Sequence, residues 1–269
     1  RVMYSINSGF TAISAESDLG SSGADVESQG TSAAWTQGMF QQQWGFSGTS
    51  VTGTATAVAG INIQSVWGDY TGLGVRIGLI DNFFDIDHPE LQGRFDLTTS
   101  RDLADAPGSV NIRPDDIYSN HGTMVASVLG ANGTDGTGMT GAGFGATLVG
   151  YVLRFGGTTQ ARTTLVSHLT QQLSDNIDVV NNSWSFSTAF ADDFGSSLWS
   201  DLAAAINAHA SVGRDGLGTV MVVGAGNDRQ FDATRWWLDG DNTNHNNTTN
   251  TRSMITVAAT DESGAVTGI

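Results

Sequence analysis

The sequence contains no cysteine and no lysine, and only 3 of its 269 residues are proline. The lack of cysteine excludes a disulfide framework, a thiolate nucleophile and cysteine-ligated zinc. The chain carries 11 basic and 27 acidic residues, a formal net charge of -16, so nucleic acid and anionic lipid would repel it. No apolar run approaches the length of a membrane span. We therefore expect neither a nucleic-acid partner nor a transmembrane segment.

Glycine, in contrast, is abundant at 35 residues, and short apolar runs alternate with segments of helical periodicity. Leu165, Leu169 and Leu173 are spaced by four and predict one helix, and a second helix is predicted over 198–210. The runs that predict strands are 75–81, 147–153, 177–180, 220–223 and 254–259. This alternation predicts an α/β fold with a doubly wound, mostly parallel sheet and helices on both faces.

Composition divides the chain into two parts. Residues 1–36 are rich in serine and glycine, show no sustained period and are interpreted as an N-terminal extension or linker. Residues 37–269 hold the alternating elements and form one predicted domain. Neither end has the pattern of a natural terminus, so we expect a piece of a longer polypeptide, with the domain incomplete at its C-terminus. The acidic, lysine-free composition suits a secreted or cell-surface protein, and a bacterial one.

Three polar residues lie where the predicted topology brings them to one edge of the sheet. Asp81 ends the first strand, His121 opens a helix, and Asn227 follows a strand and a glycine turn. Acyl transfer uses such a set: a carboxylate orients an imidazole, the imidazole takes a proton from a hydroxyl, and an amide stabilises the oxyanion. An Asp at a strand end is also a common turn cap, so the role of Asp81 depends on the other two residues.

With their flanking residues these positions resemble the subtilisin-like serine proteases, and in particular their kexin and furin branch. The resemblance covers about residues 37–269, and the order Asp, His, Asn is that of the family. The segments that carry the family resemblance are Asp87-His88-Pro89-Glu90-Leu91, His121-Gly122-Thr123, Asn181-Asn182-Ser183-Trp184 and Gly224-Ala225-Gly226-Asn227. The segments similar to the kexin and furin branch are Gln42-Gln43-Trp44, Tyr70-Thr71-Gly72, Arg214-Asp215-Gly216-Leu217-Gly218 and Ser253-Met254-Ile255-Thr256-Val257. The resemblance implies a subtilisin-like fold and a secreted serine endopeptidase that acts on polypeptides.

The resemblance also implies a role for each matching residue. Asp81 would be the triad carboxylate, His121 the general base and Asn227 the side-chain donor to the oxyanion. The substrate pocket would have two walls, of which Ser183, Trp184 and Ser185 form one and Gly224, Ala225 and Gly226 form the other. A peptide would bind along these walls as an extra strand.

The sequence departs from the family pattern at four positions. Phe83 and Ser185 stand where the family usually has glycine, and Thr188 and Asn246 stand where the kexin and furin branch has the acids that select a basic residue at the cleavage site. These departures argue against a preference for cleavage after Arg or Lys.

The family's Gly-Thr-Ser-x-Ala-x-Pro segment, which carries the nucleophile, does not follow Asn227. We expect the serine on a downstream part of the same polypeptide or on a second chain, so that the chain as given is inactive by itself. A circularly permuted enzyme that uses Ser32 is an alternative.

A structural calcium site is a further implication of the resemblance. Its ligands would be the carboxylates of Glu90 and Asp135, the carbonyls of Asn132 and Thr137, and Gln37. Mixed carboxylate and carbonyl oxygens are what Ca²⁺ prefers. The alternative is a plain glycine-rich loop with solvated acids.

A second function stays open, namely a non-catalytic scaffold or binding module that keeps the fold without the chemistry. An α/β-hydrolase is disfavoured because no Gly-x-Ser-x-Gly elbow occurs. Among the remaining polar residues, we interpret Asp192 and Asp193 as a solvated pair, and we expect surface or core roles for His168 and His209. Trp236 and Trp237 could lie under a loop or beside the substrate cleft.

Overall fold

The structure is a computed structural model that describes residues 2–4, 38–48, 60–104, 111–114, 120–155, 159–186, 191–227 and 243–266. Its strands are β1 (Val2–Tyr4), β2 (Arg76–Asp81), β3 (Thr147–Val152), β4 (Val179–Asn182), β5 (Trp184–Phe186), β6 (Val220–Gly224) and β7 (Ile255–Val257). Its α-helices are α1 (Trp44–Ser47), α2 (His121–Gly130), α3 (Thr159–Ser174) and α4 (Ser200–Gly216).

Five of these strands form a parallel sheet in the order β3-β2-β4-β6-β7. The chain goes from β2 outward to β3 and then returns to β4 on the other side of β2, so the strand order reverses between β2 and β4. A reversal of this kind opens a crevice outside the carboxyl ends of the strands. The predicted α/β fold with a doubly wound parallel sheet is confirmed.

Alternate residues along the strands pack against helices on opposite faces of the sheet. Leu79 is fully buried in a cluster that includes Val125 of α2. Its neighbour Ile80 is fully buried in a different cluster, together with Leu169 of α3 and Ile206 of α4. Each such side chain contributes roughly 1.5–3 kcal/mol through its burial. The continuous apolar run of β2 is therefore explained by burial on both faces.

A third, aromatic cluster lies beside the sheet and gathers around Trp67. The Trp67 ring lies 5.7 Å from that of Phe40, 6.2 Å from that of Phe46 and 5.5 Å from that of Phe144, measured between ring centroids. Its indole N–H donates to the carbonyl of Ala142 at 2.9 Å. This cluster fastens α1 and the segment before β2 to the loop that precedes β3.

The predicted helix and strand positions agree with the structure, with shifts at the boundaries. The second long helix extends to Gly216, but Gly213, Arg214 and Asp215 depart from helical geometry, and the last two adopt left-handed φ angles of 52° and 55°. Two short strands, β1 and β5, were not predicted, because three residues are too few to show a period of two. β1 falls within the predicted extension 1–36, whose remaining residues lie outside the described part of the chain.

The two histidines of uncertain role are core residues. His168 and His209 are fully buried, and their Nε2 atoms bond to the carbonyls of Val152 at 2.7 Å and Leu169 at 2.9 Å. Burial lowers the pKa of His168 to about 4 and also lowers the pKa of His209. Both rings are consequently neutral at pH 7 and tie α3 and α4 to their neighbours.

Candidate active site

Asp81 and His121 form a direct hydrogen-bonded pair at the switch point of the sheet. Asp81 is the last residue of β2, His121 is the first residue of α2, and His121 Nδ1 lies 2.7 Å from Asp81 Oδ1. Both residues are buried, with exposed fractions of 0% and 6%. Burial raises the pKa of the Asp81 carboxyl, and the hydrogen bonds from His121 and from the backbone of Asn82 partly oppose that rise. A proton on Nδ1 makes Nε2 the basic nitrogen of His121.

The first turn of α2 packs directly against the segment that follows Asp81. A β-carbon added to Gly122 would lie 2.5 Å from the Phe83 carbonyl oxygen and 3.1 Å from the Asp81 β-carbon. The Thr123 hydroxyl accepts a bond from the backbone N–H of Asp85 at 2.8 Å. The His-Gly-Thr sequence therefore matches its setting, because only glycine permits this approach between helix and loop.

Asn227 lies beyond the carboxyl end of β6, at the same edge of the sheet as Asp81 and two strands away from β2. It is partly buried, and the preceding Gly226 has a φ of 110°, a value that strongly favours glycine. The glycine turn thus redirects the chain after β6. Asp81, His121 and Asn227 therefore lie at the same edge of the sheet, and a hydrogen bond joins Asp81 to His121.

The two predicted pocket walls extend from neighbouring strands. Ser183 follows β4, and its hydroxyl accepts a bond from the Asn181 amide at 2.9 Å; Trp184 and Ser185 continue into β5 and are buried. On the other side, Gly224 ends β6 and the N–H of Ala225 donates to the Val257 carbonyl at 2.9 Å. β4 and β6 are adjacent in the sheet, so the two walls lie next to each other.

A strand already pairs with the first of these walls. β1 runs antiparallel to β5, with Val2 opposite Phe186, Met3 opposite Ser185 and Tyr4 opposite Trp184. The backbone groups of β5 are therefore arranged to receive an extended segment, which is the binding mode expected for a peptide at this wall.

The interpretation of Asp192 as a solvated acid is wrong. Its side chain is fully buried and accepts the backbone N–H groups of Asn247 at 2.9 Å and Thr248 at 2.7 Å. The same turn presents Asn246, whose amide lies 3.4 Å from the Phe186 carbonyl oxygen at the end of β5. Asp192 thereby fixes the turn that carries Asn246 beside the pocket wall. Thr188, Trp236 and Trp237 lie outside the described residues.

The residues proposed for calcium come together in and around the loop after α2. The backbone N–H of Asn132 donates to the Glu90 carbonyl at 3.0 Å, and the Asp135 carboxylate accepts bonds from Asn132 Nδ2 at 3.2 Å and from the Thr137 N–H at 3.1 Å. Burial and the nearby charge of Asp135 raise the pKa of Glu90 to about 7. Gln37 lies outside the described residues.

Glu90 is only partly satisfied by the groups around it, although it accepts a backbone hydrogen bond from Met139. Its Oε2 atom is buried and has no hydrogen-bond partner within the described ranges, and a β-carbon on Gly138 would collide with its carboxylate. A cation would relieve both the buried charge and the missing partner, so the residues present fit Ca²⁺. No group of three or more His, Cys, Asp or Glu side chains that could hold a metal ion occurs among the described residues, so most ligands would be carbonyl or amide oxygens.

Asn82 is a residue of the site that the sequence did not reveal. Its Oδ1 atom accepts the N–H groups of Phe83 and Gly122, both at 2.7 Å, and its own N–H donates to Asp81 Oδ1 at 2.8 Å. In sequence it is only one polar residue after a strand, which is typical of any turn. The signal that was available is its position directly after the candidate triad carboxylate.

Residues 72–268 match the subtilase family, Peptidase_S8, and the chain therefore belongs to that family. Its curated relatives include the PC3-like endoprotease variant B of Hydra vulgaris, which is 30% identical over 182 residues, or 65% of this chain and 24% of the relative. They also include furin of Homo sapiens, 28% identical over 194 residues, or 70% of this chain and 22% of furin. The chain thus spans about a quarter of the length of these relatives.

An extracellular serine protease of Serratia marcescens is 31% identical over 155 residues, or 58% of this chain and 13% of that protein. Among solved structures, the serine protease of Aeromonas sobria matches with a TM-score of 0.67 and 21% identity, over 96% of this chain and 44% of that one. Its complex with the chaperone ORF2 matches with a TM-score of 0.68 and 22% identity, over 86% of this chain and 40% of that chain. At these identities the likeness establishes a subtilisin-like fold.

Proposed function

We propose that this chain is the larger part of the catalytic domain of a secreted subtilisin-like serine endopeptidase. The observation that carries the proposal is the buried hydrogen bond of 2.7 Å between His121 Nδ1 and Asp81 Oδ1 at the carboxyl edge of the sheet. Relatives that are serine proteases, one of them extracellular, support the activity and the location. None of the helices among the described residues is long and apolar enough to cross a membrane.

In the proposed reaction His121 Nε2 removes the proton from a serine hydroxyl as the serine oxygen attacks the carbonyl carbon of the peptide bond. Asp81 stabilises the imidazolium that forms, and the Asn227 side-chain amide donates to the oxyanion. The imidazolium then protonates the leaving amine, and the C–N bond breaks. Water hydrolyses the acyl-enzyme by the same steps, which restores the serine and releases the carboxylic acid.

The substrate would bind as an extended strand against β5. The antiparallel pairing of β1 with β5 supports this mode, because it demonstrates that the backbone of Trp184, Ser185 and Phe186 accepts a neighbouring strand. The same pairing means that a peptide competes with β1 for that edge if it binds there. Main-chain bonds of this kind give affinity without strong dependence on side chains.

The side chains near the pocket support a neutral residue at the cleavage site. The Asn246 amide faces the Phe186 carbonyl oxygen at 3.4 Å, while the nearby Asp192 carboxylate is committed to the N–H groups of Asn247 and Thr248. Among the described residues of this part of the pocket, an Arg or Lys side chain would then lack a carboxylate partner. A peptide library cleaved by the protein is expected to lack a preference for Arg or Lys.

We place the nucleophilic serine on a segment that follows residue 269 or on a second chain. A fluorophosphonate probe tests this on the protein expressed from the complete gene. Labelling that is lost in His121→Ala and retained in His209→Asn supports the triad. His209 is the control because it is a buried histidine that takes no part in the proposed reaction. Absence of labelling in a folded sample would contradict the protease and favour the non-catalytic scaffold.

We also propose that Ca²⁺ binds at Glu90, Asn132, Asp135 and Thr137, where it would stabilise the loop after α2 by neutralising two neighbouring carboxylates. The buried Oε2 of Glu90 and its raised pKa support this. The loop is also tied to the N-terminal part of the domain: the N–H of Met39 donates to the Gly138 carbonyl at 2.8 Å. Titration with Ca²⁺ after chelation, followed by calorimetry, tests it; no heat of binding would contradict the site.

A further inference from the structure

The first turn of α2 lacks a cap of its own. Its N-cap residue, Asn120, makes no side-chain hydrogen bond to the helix, although asparagine is among the best capping residues. The backbone N–H of Gly122 instead donates to Asn82 Oδ1 at 2.7 Å, and Asn82 belongs to the loop after β2. The helix that begins with His121 is therefore capped by the residue that directly follows Asp81.

Asn82 contacts both sides of the candidate dyad. Its backbone N–H donates to Asp81 Oδ1, the same oxygen that bonds to His121, and its side-chain oxygen accepts from the residue that follows His121. We propose that Asn82 is a positioning residue, which holds the start of α2 against the end of β2 and so fixes the Asp81–His121 hydrogen bond.

The start of α2 packs closely against the loop after β2, and this makes the Asp81–His121 hydrogen bond sensitive to Asn82. The helix start cannot approach further, because the Phe83 carbonyl already occupies the place of a β-carbon on Gly122. It is kept from receding by the Asn82 bond and by the bond between the Asp85 N–H and Thr123. Asn82 is 7% exposed, so water does not readily replace its oxygen if the side chain is removed.

The amide suits this place better than either an alkyl group or a carboxylate. An alanine would leave the N–H groups of Phe83 and Gly122 without their acceptor. An aspartate would keep both bonds but add a negative charge beside Asp81. Of the charged groups around the loop, the Asp81 carboxylate bonds to His121 and the Asp85 carboxylate accepts the N–H of Asp87 at 3.2 Å. The Arg154 guanidinium lies 5.2 Å from the Phe83 ring and pairs with Asp102 at 2.7 Å.

The experiment follows the His121 ring directly by NMR, in the complete protein, in wild type and three variants. Asn82→Ala removes the acceptor, Asn82→Asp retains it, and Thr123→Val removes the other bond between the same helix and the same loop. For each, we would record the low-field proton of His121 Nδ1–H, the titration midpoint of His121, thermal stability, and kcat and KM for a peptide substrate.

In Asn82→Ala we expect the low-field proton to be lost or shifted and kcat to fall up to about 100-fold with little change in KM, since a small misplacement of a catalytic group is costly. In Asn82→Asp the low-field proton should return and the His121 midpoint should rise above that of wild type. Thr123→Val should lower thermal stability while the proton and the midpoint stay as in wild type.

A purely structural role predicts a different set of results. If Asn82→Ala keeps the wild-type proton resonance, His121 midpoint and kcat while melting at a lower temperature, the positioning role is overturned. If Thr123→Val perturbs His121 as strongly as Asn82→Ala, the effect belongs to helix docking in general, and the specific role is also overturned.

This inference rests on the proposed function, in which His121 is the general base, but the two fail separately. If the low-field proton depends on Asn82 but fluorophosphonate does not label the protein, the positioning role is supported and the protease function is contradicted. If the enzyme is labelled and active but the His121 signals do not change in the Asn82 variants, the protease function is supported and the positioning role is contradicted.

Discussion

Gly122 lies so close to Phe83 that an added β-carbon would fall 2.5 Å from the Phe83 carbonyl oxygen. A backbone oxygen cannot move aside as a flexible side chain can, so the helix start or the loop must shift. We predict that Gly122→Ala lowers the free energy of unfolding by about 1–3 kcal/mol, the usual effect of overpacking. It should also slow fluorophosphonate labelling, because His121 moves with the helix.

Thermal denaturation and labelling rates check this prediction. Gly45→Ala is the matched control, since a β-carbon at Gly45 in α1 would meet no atom within 4 Å. Equal behaviour of the two variants would contradict the close approach. For a domain of this size each kcal/mol shifts Tm by about 2–4 °C, so the expected difference is measurable.

Asp81→Asn separates catalysis from stability. An amide in place of the carboxylate cannot hold His121 in the required tautomer, and kcat should fall by about 10⁴, as in a convergent Ser-His-Asp triad on an unrelated fold. Burial raises the pKa of Asp81, so its ionisation costs folding free energy, and stability is lost as the pH rises through that raised pKa. The stability of Asp81→Asn relative to wild type should therefore increase from acid to neutral pH.

Steady-state kinetics and denaturation at several pH values give the two readouts. A variant that is inactive and also increasingly unstable towards neutral pH would argue that the ionised Asp81 stabilises the fold, in contradiction to the expected sign.

Much of this fold follows from short apolar runs, and the structure shows why. The run before Asp81 is continuous because β2 lies inside the sheet, with Leu79 and Ile80 buried against helices on opposite faces. Continuous burial places Asp81 where the sheet ends. The carboxyl-edge location of the site was thus available from sequence, since parallel strands end on the same side.

The parts that the sequence did not predict depend on contacts between distant segments. Asp192 appeared to be one of two solvated acids, and its burial depends on the N–H groups of Asn247 and Thr248 more than fifty residues later. In the sequence Asn82 resembles an ordinary turn residue, and its role becomes visible only from the hydrogen bond that it accepts from Gly122 in the folded chain. Such pairings have no periodicity, and they arise only when the sheet is assembled.

The proposed role of Asn227 leads to a kinetic prediction. A side-chain donor to the oxyanion acts in the transition state, so Asn227→Ala should lower kcat by about 10²–10³ and leave KM nearly unchanged. Asn207→Ala is a suitable control, because Asn207 lies exposed on α4 and accepts a bond from Ser253. A change in KM alone would assign Asn227 to substrate binding.

The proposed calcium site at Glu90 leads to a prediction about the dependence of stability on pH. The pKa of Glu90 is raised from its ordinary value of 4.5 to about 7, so in chelator the contribution of Glu90 to stability is fully present below pH 4.5 and is lost as the pH rises through about 7. Glu90→Gln should remove the part of the pH dependence that comes from Glu90. With Ca²⁺ present, wild type should regain stability at pH 8 and Glu90→Gln should regain less.

Thermal melts at pH 4 and pH 8, with and without Ca²⁺, test both statements. Asp87→Asn is the control, since Asp87 is an exposed acid that pairs with Arg113 and whose pKa is lowered by that partner. If Ca²⁺ raises the Tm of wild type and Glu90→Gln equally, Glu90 is not a ligand.

The pairing of β1 with β5 predicts that the N-terminal strand competes with substrate. Met3 lies opposite Ser185, a residue of the proposed pocket wall, and a peptide that used this edge of β5 would have to displace it. Deletion of residues 1–4 should therefore lower KM for extended peptide substrates without changing kcat. A free peptide with the sequence of residues 1–4, added to the deleted protein, should inhibit competitively and restore the higher apparent KM. An unchanged KM in a folded deletion variant would show that β1 covers an edge of β5 that the substrate does not use.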